Sequence, residues 1–231
     1  MNILALDASG IYVSAAVLKD DKIVGDMAIC NGLVHSSSLL PMIEQVLSLT
    51  GMRVQDMEAF AVTVGPGSFT GVRIGVCTAK GLAQNGEKPC VPVNTLEALA
   101  YTITADSSVI CPIMDARREQ VYTAVFDGER KQILEPQATG ITELLEELKK
   151  LGRDVIFCGE GTPVFRSIIE AQLGAKAHFA PAHLNYTRAA SVAQLAAKAF
   201  EKGQWVSCFE LDALYLRKPQ AEREYERKAA L

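Results

Sequence analysis

The sequence predicts an α/β chain built twice from one unit, and three observations carry that prediction. The chain opens with three short apolar runs separated by tight turns, Ile3–Leu6, Val13–Leu18 and Ile23–Ile29, which read as an antiparallel meander. Strand-like runs then alternate with helix-like ones. Finally, the opening hairpin recurs 108 residues later, where Asp7, Ala8, Val13, Ala16 and Val17 return as Asp115, Ala116, Val121, Ala124 and Val125.

Taken in order, Asp7-Ala8-Ser9-Gly10 and Asp20-Asp21 supply the first turns. Residues 35–49 place Leu39, Leu40, Ile43, Val46 and Leu47 at helical spacing, with Gly51 beyond as a C-terminal stop. Pro41 interrupts that run, so the regular helix is expected to begin near it. Ala59–Val64 reads as a buried strand that enters Gly65-Pro66-Gly67-Ser68-Phe69-Thr70-Gly71, and a helix follows to about Gln84. Asn94-Thr95-Leu96-Glu97 has the spacing of a capping box opening another helix. In the second half, Val109–Met114 and Val121–Phe126 are strands and Thr142–Leu151 a helix stopped by Gly152. Val155–Cys158 is a strand running into Gly159-Glu160-Gly161, and Thr162-Pro163 opens a helix. A longer amphipathic helix is expected over about Thr187–Lys202, with Ala189, Val192, Ala193, Ala196 and Phe200 inward. Residues 217–228 alternate charges without an apolar stripe, as a solvated helix or a disordered tail does.

Composition narrows the function classes. Of 231 residues, 49% are hydrophobic and 22% charged, as in an ordinary globular protein. Net charge is −4, and a chain dedicated to nucleic acid carries a basic field instead. The six cysteines, Cys30, Cys77, Cys90, Cys111, Cys158 and Cys208, form no C-x-x-C pair and sit mostly in apolar runs. That usage fits a reducing cytosol, and the start of the chain, stopped by Asp7, is not a signal peptide. A cytoplasmic protein without a membrane span is expected.

Each chemical constellation has two readings. The Gly65–Gly71 loop could aim backbone N–H groups at an anion, or it could be a tight turn with Ser68 or Thr70 capping the next helix. It is not a Walker A motif, since no Lys-Ser/Thr pair follows its last glycine. Gly71, Gly75 and Ala79 lie four apart and leave a smooth helical stripe, either for packing within the chain or for a helix of another molecule. Asp7 and Asp115 each end a strand, where a carboxylate could hold hydrated Mg²⁺ beside phosphates or close its own turn. Gly159-Glu160-Gly161 reads first as a helix-start turn. His35 has Leu39 four residues on, so the His-x-x-x-His spacing of a helical metal site is absent. His178 and His183 flank Pro181 in a loop, and no Ser/His/Asp or Cys/His set has a local signature.

Beyond these readings, several stretches together resemble one family: Ile3-Leu4-Ala5-Leu6-Asp7-Ala8-Ser9, His35 before Leu39-Leu40-Pro41, Gly65-Pro66-Gly67-Ser68-Phe69-Thr70-Gly71-Val72-Arg73-Ile74-Gly75, Asp115-Ala116-Arg117-Arg118 and Tyr215-Leu216-Arg217. It is the TsaB (YeaZ) family of bacterial tRNA threonylcarbamoyladenosine (t6A) biosynthesis proteins, and the resemblance runs through essentially the whole chain. The resemblance implies the actin-like, sugar kinase and Hsp70 ATPase (ASKHA) fold, two α/β domains each grown from a βββαβα unit. Those domains would be residues 1–105 and 106–231, the last helix packing back on the first. It also implies a non-catalytic relative of the catalytic subunit TsaD, whose His-x-x-x-His pair binds metal; here His35 matches the first histidine and Leu39 replaces the second. The implied partners are TsaD and, with it, the ATPase TsaE, and the same surface can make a homodimer. The tRNA would be met only indirectly. The interface expected from the resemblance lies on helices 36–50 and 70–84, at Leu39, Leu40, Ile43, Val72, Gly75, Val76 and Ala79. Asp7, Ser9, Gly65, Gly67, Ser68, Asp115, Gly159 and Gly161 would be a vestigial nucleotide site, with ATP or ADP at the complex interface and no firm cofactor otherwise. The alternatives are a small-molecule ATP-dependent kinase of the same fold, resting on the two aspartates and the glycine turns, and a metallopeptidase-like protein.

Overall fold

The computed structural model describes residues 1–32 and 34–217. Its first half contains β1 (Asn2–Asp7), β2 (Val13–Lys19), β3 (Lys22–Ile29), α1 (His35–Thr50), β4 (Ala59–Gly65), α2 (Phe69–Gln84), β5 (Cys90–Asn94) and α3 (Thr95–Tyr101). Its second half repeats the order with β6 (Val109–Asp115), β7 (Gln120–Phe126), β8 (Gln132–Gly140), α4 (Ile141–Leu151), β9 (Val155–Cys158), α5 (Thr162–Leu173), β10 (Ala177–Phe179) and α6 (Ala189–Glu201). The strands make two five-stranded sheets, β3-β2-β1-β4-β5 and β10-β9-β6-β7-β8, which are the same arrangement twice. In each, an antiparallel meander is extended by parallel strands reached through helices.

Each sheet is covered on both faces, which is why its inner strands are apolar throughout rather than alternating. Leu4, Leu6, Phe60 and Val62 pack under α1 and α2, while Ile3, Ala5, Ala59 and Ala61 face α6. In the second sheet, Cys111, Ile113, Phe157 and Val125 lie under α4 and α5, and Ile110, Met114 and Ala124 meet α3. The closing helices are therefore exchanged: α3 of the first half covers the second sheet, and α6 of the second half covers the first. No flexible linker is needed because the two halves share these layers. The start of α6 is fixed by the Ala189 N–H donating to Ser14 Oγ at 3.0 Å and by an ion pair between Arg188 and Asp26. Tyr12 and Tyr186 stack at 3.9 Å beside it.

Local expectations are corrected at a few points. Helix α1 begins at His35, not near Pro41, and carries that proline inside it. The residue whose carbonyl loses its partner is Ser37, which is exposed, so water can replace the missing bond. Strands β5, β8 and β10 carry no strong sequence signal. β8 is a polar edge strand holding Pro136, and β10 has three residues. Asn94 caps α3 by accepting from Leu96 N–H at 2.9 Å and Glu97 N–H at 3.4 Å. After α6, residues 204–217 run back over the first half as an extended strap. Cys90 and Val206 exchange backbone hydrogen bonds of 2.8 and 2.9 Å, Leu214 N–H donates to Val64 O at 2.7 Å, and Lys80 Nζ donates to Leu211 O at 2.8 Å. The strap's last described residue, Arg217, reaches Ala116 O in the second half at 2.8 Å. The expected charged tail, from 218 on, lies outside the described residues.

Candidate functional site

The residues singled out in the sequence fall in two places: at and behind a cleft between the halves, and on helices α1 and α2. The cleft encloses about 320 Å³ and is walled by Gly10, Gly67, Ser68, Asp115, Arg117 and Glu160 among others. Gly67, Ser68 and Asp115 thus come together there. Asp7, Ser9, Gly65, Gly159 and Gly161 are not among its walls; they lie in the packed backbone behind.

Asp7 is 1% exposed, and its Oδ1 accepts from Ser9 Oγ at 2.5 Å, Thr63 Oγ1 at 2.6 Å and Ser9 N–H at 3.2 Å. Burial pushes its carboxyl above the usual range, while these donors pull the other way. Asp115 instead closes its own turn, accepting from Arg117 N–H at 2.8 Å and Arg117 Nη1 at 3.3 Å. The two aspartates are not equivalent. Leu6 pairs with Ala15 and Asp7 with Ser14; in the repeat Ile113 pairs with Thr123 and Met114 with Tyr122. Leu6 and Ile113 face the corresponding helices, so Met114 occupies the place of Asp7 and Asp115 that of Ala8. The second turn is one residue longer, so the offset of 108 that aligns β2 with β7 misaligns β1 with β6 by one step.

The glycine turns occupy matching positions, β4 to α2 and β9 to α5, and both spend their amides inside the chain. Ser68 N–H donates to Ser9 O at 2.7 Å, Gly71 N–H to Ser68 Oγ at 3.2 Å, and Gly161 N–H to Ile113 O at 3.0 Å. A side chain on Gly71 would put Cβ 2.0 Å from Ala8 O, so this glycine serves close approach of α2 to β1. Gly75 faces Val62 and Ala79 is buried in the same core; the small-residue stripe therefore lies against the chain's own sheet.

His35 Nε2 lies 2.8 Å from Gly10 O, and Leu39 is 1% exposed in the core. An imidazole engaged by a carbonyl and a buried isobutyl group do not fit the two-histidine metal site implied for TsaD. Among the described residues there is no group of three or more His, Cys, Asp or Glu placed to hold a metal.

Of the positions expected at a partner interface, Leu39, Ile43, Val72, Gly75, Val76 and Ala79 are buried in this chain's own core, and Leu40 is 50% exposed. The physical reason is that apolar helical spacing marks the stripe a helix turns toward its own sheet. The outward face is carried by Leu40, Pro41, Glu44, Ser48 and Leu49 of α1 and by Arg73, Cys77 and Gly81 of α2. Leu49 is 73% exposed, Glu44 is the one charged residue in α1, and no described ion pair involves either helix. The matching pair in the second half, α4 and α5, is laced with charge: Glu146–Lys149 at 2.5 Å and Arg166–Glu170 at 2.8 Å, with Lys149 bridging to Gln172 at 3.0 Å.

Comparison with known proteins places this geometry. The family model described as TsaD, tRNA N6-adenosine threonylcarbamoyltransferase, matches residues 33–225. The Bacillus subtilis tRNA threonylcarbamoyladenosine biosynthesis protein TsaB is 35% identical over 84% of this chain and 86% of its own length. The chain belongs to the TsaB family. YeaZ from Pseudomonas aeruginosa superposes with a TM-score of 0.77 at 24% identity, over 93% of this chain and 99% of that one. The activator of the 2-hydroxyisocaproyl-CoA dehydratase from Clostridium difficile, solved with bound ADPNP, superposes with a TM-score of 0.52 at 13% identity, over 88% of this chain and 97% of that one. These likenesses fix the TsaB-family chain in the ASKHA fold. No helix among the described residues is long and apolar enough to cross a membrane.

Sequence reasoning missed the strap and Glu160. Glu160 Oε2 accepts from Ile11 N–H at 2.9 Å and so ties the second half's glycine turn to the first half's hairpin. Its only sequence signal was a carboxylate between two glycines. Arg73 stands out in the sequence only as part of a motif. Its guanidinium sits 3.8 Å over Phe69 and donates to Tyr215 Oη at 2.8 Å, clamping the strap to α2.

Proposed function

We propose that this chain is a non-catalytic scaffold subunit of t6A biosynthesis that binds and activates the catalytic subunit TsaD through the outer face of α1 and α2. One observation carries the proposal: this helix pair presents the exposed Leu40 and Leu49, with Glu44, Arg73 and Lys80 its only charged residues and none of them ion-paired among the described residues, whereas its structural duplicate, α4 and α5, presents an ion-paired surface. A charge-poor helical face rimmed by polar groups is what a partner helix pair buries. The engagement of His35 with Gly10 and the burial of Leu39 support a role without metal chemistry of its own. The ATPase TsaE joins through the assembled pair, and without TsaD two copies of the chain meet on the same face.

The test is a calorimetric titration of TsaD into this protein. One-to-one binding is expected. Leu40→Glu with Leu49→Glu is expected to weaken it by about 100-fold or more, because two carboxylates would be desolvated without partners. Val164→Glu with Ile168→Glu, on exposed positions of α5, should leave it unchanged. Absence of binding by the wild-type chain sinks the proposal. Substitutions at Ile43, Val76 or Ala79 are unsuitable probes, since they would unfold the core before they reported on an interface.

A further inference from the structure

A second cavity, of about 480 Å³, lies where β5, α3, α6 and the start of the strap converge, away from the cleft and from α1 and α2. Its volume is in the range that holds a small molecule. Trp205, the chain's only tryptophan, lines it and is 48% exposed. The indole is backed by Phe200, with ring centroids 6.5 Å apart and an interplanar angle of 28°. An indole supported on one side and open on the other is a platform for a planar ring.

Around it stand Lys198, Lys202, Glu97 and Gln204. Neither lysine forms an ion pair with a described residue. Lys198 is oriented by the Tyr101 ring, 5.1 Å from its ammonium, and Lys202 lies near Glu97 without pairing to it. Two ammonium groups without an ion-pair partner among the described residues, beside an aromatic wall, select an anionic aromatic molecule. The Glu97 carboxylate and Gln204 amide at the rim select one whose ring edge carries hydrogen-bond donors. A purely anionic ligand meets repulsion from Glu97, and a purely apolar one leaves the lysines unused. We propose that this cavity binds a nucleoside monophosphate unit, its base stacked on Trp205 and its phosphate held by Lys198 and Lys202. The unit is either a free nucleotide or a residue of a single-stranded RNA. The proposal is independent of the scaffold role.

Because Trp205 is unique, its fluorescence reports this site directly. The full chain would be titrated with adenosine 5′-monophosphate, a short single-stranded oligoribonucleotide, adenosine and inorganic phosphate. Saturable quenching by the monophosphate is expected at millimolar concentration or below, at least about tenfold tighter than by adenosine or phosphate alone. Equal or weaker binding of the oligonucleotide assigns the free nucleotide as the source, and tighter binding assigns RNA. Lys198→Glu with Lys202→Glu should abolish saturation in a chain whose circular dichroism is unchanged. Trp205→Phe, followed by calorimetry, should keep affinity within about threefold because a stacking face remains. No saturable change with the monophosphate or the oligonucleotide, equal response to phosphate alone, or unaltered quenching in the double lysine variant would each overturn the proposal.

Discussion

The two halves of this molecule have one topology and two different interiors at the point where they meet. In the first half the strand end is Asp7, a buried carboxylate held by three donors from Ser9 and Thr63. At the same place the second half has Met114, and its carboxylate, Asp115, has moved one residue outward into a turn. The turn absorbs the extra residue by taking Arg117, Arg118 and Glu119 through positive φ angles of 66°, 57° and 58°. A repeat can thus keep its fold while one inserted residue changes which side chain reaches the shared cleft. What was symmetrical in sequence is asymmetrical in chemistry.

That asymmetry predicts unequal costs. Asp7→Ala removes the acceptor of three donors in a buried site, each of which is then left unpaired, and should cost about 3 kcal/mol in denaturant unfolding. Asp115→Ala loses contacts only with Arg117 and should cost less than about 1 kcal/mol. Equal losses would mean that the two carboxylates are equivalent after all. The glycine turns sharpen the comparison at a smaller scale. A Cβ on Gly67 would lie 2.3 Å from Ser9 O, a carbonyl already fixed by the Ser68 N–H, so Gly67→Ala is expected to cost about 2–3 kcal/mol. On Gly161 the nearest approach is 3.0 Å, to Ile113 O, and Gly161→Ala should cost about half as much.

The sequence made the meander, the alternation of elements and the duplicated plan legible, because each depends on local patterning and turn residues. Local patterning did not reveal that α3 covers the second sheet. Leu96 and Leu99 mark the inner face of α3 plainly, yet nothing in their spacing says that they pack on Ile110 and Ala124 of the other half. The same limit governed the interface residues: Leu39, Ile43 and Val76 announce an apolar face, and that face belongs to the first sheet. The exposed Leu40 and Leu49 could be separated from them only once the helix was seated. In the cleft between the halves, Gly67, Ser68 and Asp115 are residues that the sequence singles out. Glu160 escaped because its role rests on a hydrogen bond to a backbone amide 149 residues away.

Glu160 is also where the halves can be separated most finely. Burial raises its carboxyl above the ordinary range; the Ile11 N–H pulls it down, Asp7 and Asp115 add to the rise, and Arg117 opposes it. A raised folded-state value means that the folded chain holds this proton more tightly than the unfolded chain does. The contribution is therefore fully present below the unfolded value of about 4.3 and is lost as pH rises through the folded one. Glu160→Gln keeps an oxygen to accept from Ile11 while removing the charge. It should match or exceed the wild type in Tm at neutral pH, with the difference shrinking as pH falls through the folded-state value and gone by about 4. Some pH dependence of the same sign should remain in the variant, because burial raises Asp7 as well. Glu160→Ala, which loses the bond to Ile11, should fall below Glu160→Gln at every pH by about 1 kcal/mol. A Glu160→Gln difference that does not vary with pH would mean that the carboxylate is fully solvated in the cleft and that the tie between the halves rests on Ile11 alone.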